Sequence, residues 1–125
     1  YTNDLSYFHQ LFAGSDFYLS FDTHDPTNLN LMYAANYGTI PITHNYFVDR
    51  NMFKPYTTEN NKGFTMIFNK ENPQELQNYI LEAIKIFDDK ETLNSIIDFA
   101  RSQKFSWNEG AKAYKSLYTR LIKGK

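Results

Sequence analysis

Cysteine is absent from the sequence, which excludes a disulfide framework, a thiolate zinc site and a cysteine nucleophile. Excess charge is also missing, since 13 Lys and Arg against 14 Asp and Glu leave a net charge of −1 at pH 7. Nucleic-acid binding depends on clustered positive charge, so we expect no nucleic-acid partner. No apolar run approaches the roughly 18 residues of a membrane-spanning helix, and no secretion signal opens the chain. We therefore expect neither membrane insertion nor secretion.

Sequence motifs of several common enzyme classes are missing as well. The five glycines stand apart and form neither a G-x-x-x-x-G-K-S/T phosphate loop nor a G-x-G-x-x-G dinucleotide motif. The H-E-x-x-H motif of zinc proteases and the G-x-S-x-G motif of hydrolases do not occur. His9, His24 and His44 are too far apart in the sequence to suggest a ligand cluster, so we predict no metal site and no cofactor.

Apolar and aromatic residues are what the sequence has in abundance. Hydrophobic residues make up 42% and aromatic residues 18% of the 125 residues, far more than a disordered segment carries. A chain of this length has room for one hydrophobic core. We therefore predict a single domain over residues 1–125.

In the first half of the chain, short apolar runs alternate with patterns of helical spacing. Helices are predicted over residues 4–13 and 28–37, and strands over residues 17–20, 40–43 and 63–68. Residues 44–62 show no period and predict a long loop, and of the chain's aromatic side chains those of residues 44–56 are the least explained by packing alone.

The second half predicts three C-terminal helices over residues 73–123. The first begins with Asn72 as its cap and Pro73 in its first turn. The second is expected over residues 90–102. The third begins at Ser106, and Trp107 is expected to anchor it in the core. The residues expected to face the core are Leu76, Ile80, Ala83, Ile84 and Phe87 in the first of these helices, and Ala111, Tyr114, Leu117 and Leu121 in the third.

Alternating strands and helices predict an α/β fold with a Rossmann-like parallel sheet flanked by helices. Three strands are few for such a sheet, because parallel strands are normally buried on both faces. We therefore expect the chain to be part of a larger α/β domain, whose further strands come from upstream sequence or from another copy. The exposed sheet edge would also allow a homodimer.

The most informative loop follows the strand over residues 17–20. Ligands of parallel sheets bind beyond the carboxyl ends of the strands, where Asp22, His24 and Asp25 are available to accept hydrogen bonds from a sugar. A helix beginning near Asn28 would direct unpaired amides and a positive dipole end to the same place, which favours a phosphate. The alternative is that residues 25–28 only form a turn and cap the helix.

Two motifs in the sequence carry a resemblance to a known family. YGTIPI at residues 37–42 follows the pair Asp25-Pro26, and FSW at residues 105–107 precedes Ala111 and Tyr114. These segments resemble the C-terminal domain of bacterial glycogen synthases and plant starch synthases, which are GT-B glycosyltransferases, and the resemblance covers nearly the whole chain. It implies a partial GT-B C-terminal domain with a cytoplasmic or plastid-like location.

The resemblance also implies an activity and a site. The family transfers glucose, with retention of configuration, from ADP-glucose or UDP-glucose to an α-1,4-glucan acceptor, which is bound largely by an N-terminal domain that is absent here. Asp25 matches the family's acidic residue that contacts the donor glucose, so it is the candidate catalytic residue. The candidate donor-binding residues are Thr27, Asn28, Leu29 and Asn30, whose amides match those that meet the diphosphate, and His24.

Departures from the family pattern leave a second hypothesis open. Thr27-Asn28 replace Cys-Gly, residues 46–49 replace the T-G-G-L loop and crowd the donor site, and the basic pair that neutralises the diphosphate is absent. The isolated chain is therefore expected to be inactive. The alternative function is a divergent non-catalytic module used for glucan binding or assembly.

Overall fold

The computed structural model describes residues 4–22, 25–46, 48–59, 62–69 and 72–124. Within these ranges there are three strands and five helices. In chain order they are α1 (Leu5–Ala13), β1 (Phe17–Ser20), α2 (Leu29–Tyr37), β2 (Ile40–His44), β3 (Met66–Phe68), α3 (Pro73–Asp88), α4 (Lys90–Ser102) and α5 (Trp107–Lys123). All the predicted elements are therefore present, with small differences at their ends.

The strands form one parallel sheet in the order β1-β2-β3. Phe17 pairs with Ile40 between β1 and β2, and Ile42 pairs with Met66 between β2 and β3. Helices α2 and α4 pack against β2, and α3 packs against β3. The α/β class and the Rossmann-like parallel sheet flanked by helices are thus confirmed.

Strand β2 is buried along its whole length and forms the centre of the sheet. It contains Pro41, which has no N–H to donate and is rare inside sheets. The backbone nitrogen of Ile40 donates to the carbonyl of Asp16 at 2.9 Å. Because successive backbone nitrogens of a strand point to opposite sides, the nitrogen of Pro41 points away from β1 and toward β3. Pairing with β3 begins only at Ile42, so the missing N–H of Pro41 interrupts neither ladder.

The segment before β3 pairs with the preceding loop instead of with β2. Phe64 donates from its backbone nitrogen to the carbonyl of Lys54 at 3.0 Å, and Tyr56 donates to the carbonyl of Thr65 at 2.8 Å. Strand β3 therefore begins at Met66, later than expected, because its predicted first residues already have other backbone partners.

Two aromatic residues of the loop between β2 and β3 belong to the core. Phe53 is fully buried with its ring stacked on Phe105, and Tyr56 is almost fully buried. The expectation that packing alone explains this loop's aromatic side chains least is therefore wrong for Phe53 and Tyr56. Burial raises the pKa of the Tyr56 hydroxyl, and the negative charges of Glu82 and Asp89 add to the shift. The fold thus favours the neutral phenol, and this contribution to stability is lost as the pH rises through the raised pKa.

Three of the helices have a polar side chain as their N-cap. The N-cap side chains that accept backbone hydrogen bonds are Asp4 in α1, Asn72 in α3 and Asp89 in α4. Hydrogen bonds from the side chain and then the amide of Thr92 lower the pKa of the Asp89 carboxyl. The stability from this cap is therefore present above the ordinary carboxyl pKa and is lost as the pH falls through the lowered one.

Helix α5 leaves its apolar face exposed within the described part of the chain. Trp107 is 90% exposed, so its prediction as a core anchor is wrong. Ala111, Tyr114, Leu117 and Leu121 were expected to face inward and are exposed too. Helical spacing identifies an apolar face, but it does not show whether the same chain supplies the surface that covers that face.

Helix α3 also buries less of its apolar stripe than expected. Ala83 is buried and Leu76 is half-buried, whereas Ile80, Ile84 and Phe87 are exposed. The three exposed side chains lie beside β1, the strand at one edge of the sheet. The apolar stripe therefore extends beyond the surface that the described residues cover.

No helix within the described ranges is long and apolar enough to cross a membrane. The cellular location, the homodimer and the single-domain organisation over residues 1–125 stay predictions. Strand β1 has no second neighbour among the described strands, so the sheet edge named for a homodimer is available there.

Gly63 is the glycine least able to accept a side chain. Its φ is +90°, and an added Cβ would lie 2.0 Å from the carbonyl oxygen of Pro55. We expect Gly63→Ala to lower the free energy of unfolding by at least about 2 kcal/mol, because the positive φ and the backbone clash are both unfavourable.

Gly110→Ala is the matched control in α5. Nothing lies within 4 Å of a Cβ added there, so the helical position should gain about 0.5–1 kcal/mol of stability. Urea denaturation followed by circular dichroism measures both variants. Loss of stability of similar size in the two would contradict the clash at Gly63.

Candidate functional site

A narrow crevice opens where β1 and β2 end and α2 begins. The carboxyl ends of parallel strands share one edge, which is the usual place for a ligand. The free volume of the crevice is about 10 Å³, the room of a single water molecule. Its lining residues are Ser20, Asp22, Asp25, Asn28, Asn30, Leu31, Thr43, His44, Tyr46 and Val48. The predicted loop and helix start therefore meet here, in a site that the protein's own side chains largely fill.

Asp25 forms a tight turn with the residues that follow it. Its Oδ1 accepts hydrogen bonds from the backbone N–H of Thr27 at 3.0 Å and from the Thr27 hydroxyl, and its carbonyl accepts from Asn28 at 3.4 Å. The turn that was the alternative interpretation of this segment is thus present. The second carboxylate oxygen, Oδ2, has no hydrogen-bond partner among the described residues.

Asn28 occupies the left-handed region of backbone space, with a φ of 53°, alone among the described non-glycine residues. The resemblance places it where the family has glycine, and asparagine is one of the few other residues that tolerate this conformation. The replacement of glycine by Asn28 therefore keeps the backbone conformation while adding a side chain at the crevice.

Helix α2 begins with amides that no N-cap side chain satisfies within the described ranges. Its first turn closes with a hydrogen bond from the N–H of Met32 to the carbonyl of Asn28 at 3.1 Å, so the N–H groups of Leu29, Asn30 and Leu31 have no acceptor within the helix. Together with the positive end of the helix dipole, they attract an anion. Asn30 and Leu31 line the crevice, whereas the Leu29 side chain is largely exposed and does not.

His44 joins the two loops that form the crevice, a role that the sequence did not predict. It is the last residue of β2 and is almost fully buried. Its Nδ1 accepts a hydrogen bond from the backbone N–H of Tyr46 at 3.0 Å, so Nε2 carries the proton and donates to the carbonyl of Asp22 at 2.7 Å. The neutral imidazole thereby connects the segment after β1 to the segment after β2.

The loop after β2 narrows the crevice. Tyr46 and Val48 line it, from the position where the family has a T-G-G-L loop. The crowding that was expected from the loss of both glycines is consistent with the small free volume. Phe47, between them, lies outside the described residues.

The predicted site residues are placed in different ways. Asp25, Asn28 and Asn30 come together at the crevice, while Thr27 is exposed and contacts Asp25. His24 lies outside the described residues, so its donor-binding role stays a prediction. Within the described ranges, His, Asp and Glu side chains form no group of three or more that could hold a metal ion.

Known proteins of similar sequence decide the family. The glycogen synthase of Streptococcus sanguinis (strain SK36) is 33% identical over 120 residues, which are 95% of this chain. The glycogen synthases of Alkaliphilus metalliredigens (strain QYMF) and Bacillus anthracis are 32% identical over 112 and 114 residues, 90% and 91% of this chain. The chain belongs to the glycogen synthase family.

This member of the glycogen synthase family spans about a quarter of the length of those relatives, between 24% and 25%. No protein-family model matches the chain. Its α/β fold is accordingly a partial GT-B domain, consistent with the C-terminal portion that the resemblance implies.

The hydrogen bonds of His44 predict a large loss of stability on replacement. We expect His44→Phe to lower the free energy of unfolding by about 2–4 kcal/mol, because the carbonyl of Asp22 and the N–H of Tyr46 each lose a partner. Thermal and urea denaturation measure the change.

His9→Phe serves as the control for this substitution. His9 is only half-buried, and its Nδ1 shares one hydrogen bond with the hydroxyl of Tyr37 at 3.1 Å, so its loss should cost about 1 kcal/mol or less. Nitrogen-15 NMR should place the proton of His44 on Nε2. A His44→Phe protein as stable as the parent would rule out the role given to this imidazole.

Proposed function

We propose that this chain forms the nucleotide-sugar-binding half of a retaining α-1,4-glucan glucosyltransferase. The donor is ADP-glucose or UDP-glucose, and the acceptor is an α-glucan held by another domain of a longer protein. Membership of the glycogen synthase family supports the proposal, together with one observation: the uncapped start of α2 lies beside Asp25 at the carboxyl ends of β1 and β2. No cofactor takes part, because the nucleotide sugar is itself a substrate.

The first turn of α2 binds the diphosphate of the donor in this proposal. The N–H groups of Asn30 and Leu31 and the positive end of the helix dipole attract its negative charge. Negative charge grows on the diphosphate as its bond to glucose breaks, and donors already aimed at that charge lower the barrier. The Oδ2 atom of Asp25 accepts a hydrogen bond from the donor glucose. The bond between glucose and the diphosphate breaks, the glucosyl group passes to the oxygen of a glucan hydroxyl with its configuration retained, and the proton of that hydroxyl goes to the departing nucleoside diphosphate.

Entry of the donor requires the crevice to widen. A free volume of about 10 Å³ is far below the roughly 300 Å³ or more of typical small-molecule sites. The segments after β1 and β2, which His44 joins, have to separate, and Tyr46 and Val48 are the side chains that have to move.

The closed crevice favours a second candidate function, a divergent non-catalytic module used for glucan binding or assembly. In that case Tyr46 and Val48 occupy the former donor site permanently. Asp25 then serves only its turn with Thr27. The glycosyltransferase fold would remain while the transfer reaction was lost.

Calorimetric titration separates the two functions. The longest natural form of the protein is titrated with ADP-glucose, UDP-glucose, ADP and UDP, and separately with a linear α-glucan. The transferase proposal expects saturable binding of one nucleotide sugar with a dissociation constant in the range of about 1 μM to 1 mM. Glucan binding without any binding of the four nucleotides would leave only the non-catalytic function.

Removal of the Asp25 carboxylate tests the catalytic assignment. We expect Asp25→Ala in the longest natural form to lower the rate of glucosyl transfer at least tenfold, about 1.4 kcal/mol of barrier, because the donor glucose loses a hydrogen-bond acceptor. Asp98→Ala is the control, since this carboxylate is exposed on α4 and does not line the crevice. Radiolabelled glucose incorporation measures both. Equal rates for Asp25→Ala and Asp98→Ala would remove Asp25 from the site.

A further inference from the structure

His44 holds the loop after β2 through a hydrogen-bond acceptor that acid removes. Because the N–H of Tyr46 donates to its Nδ1 at 3.0 Å, Nδ1 carries no proton in this structure. A proton added at Nδ1 would turn the acceptor into a donor that faces the N–H of Tyr46. The hydrogen bond to the loop therefore requires a neutral imidazole, whereas the bond from Nε2 to the carbonyl of Asp22 survives protonation.

The hydrogen bond from Tyr46 restrains the part of the loop that narrows the crevice. On one side of Tyr46, the N–H of Asn45 donates to the carbonyl of Phe68 at 2.8 Å, which fixes the end of β2 to β3. On the other side, a turn begins at Asp49, whose carbonyl accepts two backbone hydrogen bonds. Tyr46 and Val48 line the crevice between these two fixed points. Loss of the bond to the imidazole therefore removes a restraint on both side chains while the sheet stays paired.

The titratable groups that face His44 among the described residues are two carboxylates and one phenol. Asp22, Asp25 and Tyr46 line the crevice with it, and the described lining residues include no Lys or Arg. Strand β3 and the starts of α2 and α3 contribute uncharged side chains to the two cavities that His44 borders, namely Asn28, Asn30, Leu31, Phe68, Asn72 and Leu76. An imidazolium formed here therefore meets two negative charges and supplies the positive charge that the lining lacks.

We propose that His44 is a pH-sensitive switch that opens the crevice when it is protonated. Neutral His44 holds Tyr46 and keeps the crevice closed, whereas protonation at Nδ1 breaks that hydrogen bond and releases the loop after β2. The opened crevice then carries an imidazolium that attracts an anionic ligand, and by linkage a bound anion favours the protonated form. The opening concerns the protein alone, while its effect on a nucleotide sugar rests on the proposed function.

Hydrogen exchange on the ligand-free, longest natural form of the protein tests the opening. Protection factors, corrected for the intrinsic effect of pH on exchange, are compared at about pH 8 and about pH 5.5, since histidines change charge in this range. We expect the protection of the Tyr46 amide to fall at least about tenfold at the lower pH, while the Ile40 amide, which donates to Asp16 in the sheet, keeps its protection. Unchanged protection of Tyr46 would overturn the proposal. An equal loss at Ile40 would overturn it as well, because the sheet itself would then be unfolding.

Two glutamine substitutions assign the effect to one histidine. Glutamine does not titrate, and His44→Gln keeps a donor for the carbonyl of Asp22. His9→Gln is the control, because it removes an imidazole that lies outside the crevice and shares a hydrogen bond with Tyr37. We expect the pH dependence of Tyr46 protection to disappear in His44→Gln and to persist in His9→Gln. Persistence in both variants would contradict the switch.

A measurement on the parent protein needs no variant to fold. In a nitrogen-15 NMR titration, the Nδ1 signal of His44 and the amide signal of Tyr46 should change with the same midpoint, because one proton causes both changes. Different midpoints for the two signals would overturn the proposal.

Binding of the nucleotide sugar at the same two pH values tests the effect on the ligand. Both phosphates of ADP-glucose and UDP-glucose are esterified, so their charge does not change in this range and a pH effect comes from the protein. We expect calorimetry to give a dissociation constant at least about fivefold lower at the lower pH for the parent, and equal constants for His44→Gln. Tighter binding by the parent at the higher pH would contradict the coupling. Absence of binding at both pH values would contradict the transferase function instead, and the exchange of Tyr46 would still decide the switch.

Discussion

Parallel pairing of β1 with β2 is the constraint on which the candidate site depends. Because the two strands run in the same direction, Ser20 and His44 end at one edge of the sheet, where α2 also begins. His44 then joins the two following segments through hydrogen bonds to Asp22 and Tyr46. Backbone pairing and the buried imidazole of His44 therefore connect the segments that form the crevice, in addition to the hydrogen bonds within the turn at Asp25.

Local signals made much of the fold predictable. The predicted cap at Asn72 marks where α3 begins, and α4 has the expected bounds of residues 90–102. The start of β3 was not predictable, because Phe64 and Thr65 pair with a loop that shows no periodic pattern. The prediction that α5 is buried was wrong for another reason. An apolar stripe shows that a helix prefers a covered face, but the covering surface is not among the described residues.

The residues of the candidate site were likewise predictable only in part. Asn28 was predictable, because a position that needs a positive φ accepts glycine or asparagine and little else. His44 was not, because a single histidine at a strand end has no local signal, and its partners lie on two separate segments. Family membership concerns the chain as a whole, whereas the crevice is lined by Tyr46 and Val48 in a loop that the resemblance matches to T-G-G-L.

The proposed transfer depends on binding of a pyrophosphate by the first turn of α2, which an NMR titration measures. ADP and UDP are added in turn to the longest natural form with its backbone amides labelled. We expect the amide signals of Asn30 and Leu31 to shift and saturate with one of the two nucleotides, while those of α4 stay in place. Unchanged amide signals of Asn30 and Leu31 at several millimolar of either nucleotide would contradict it.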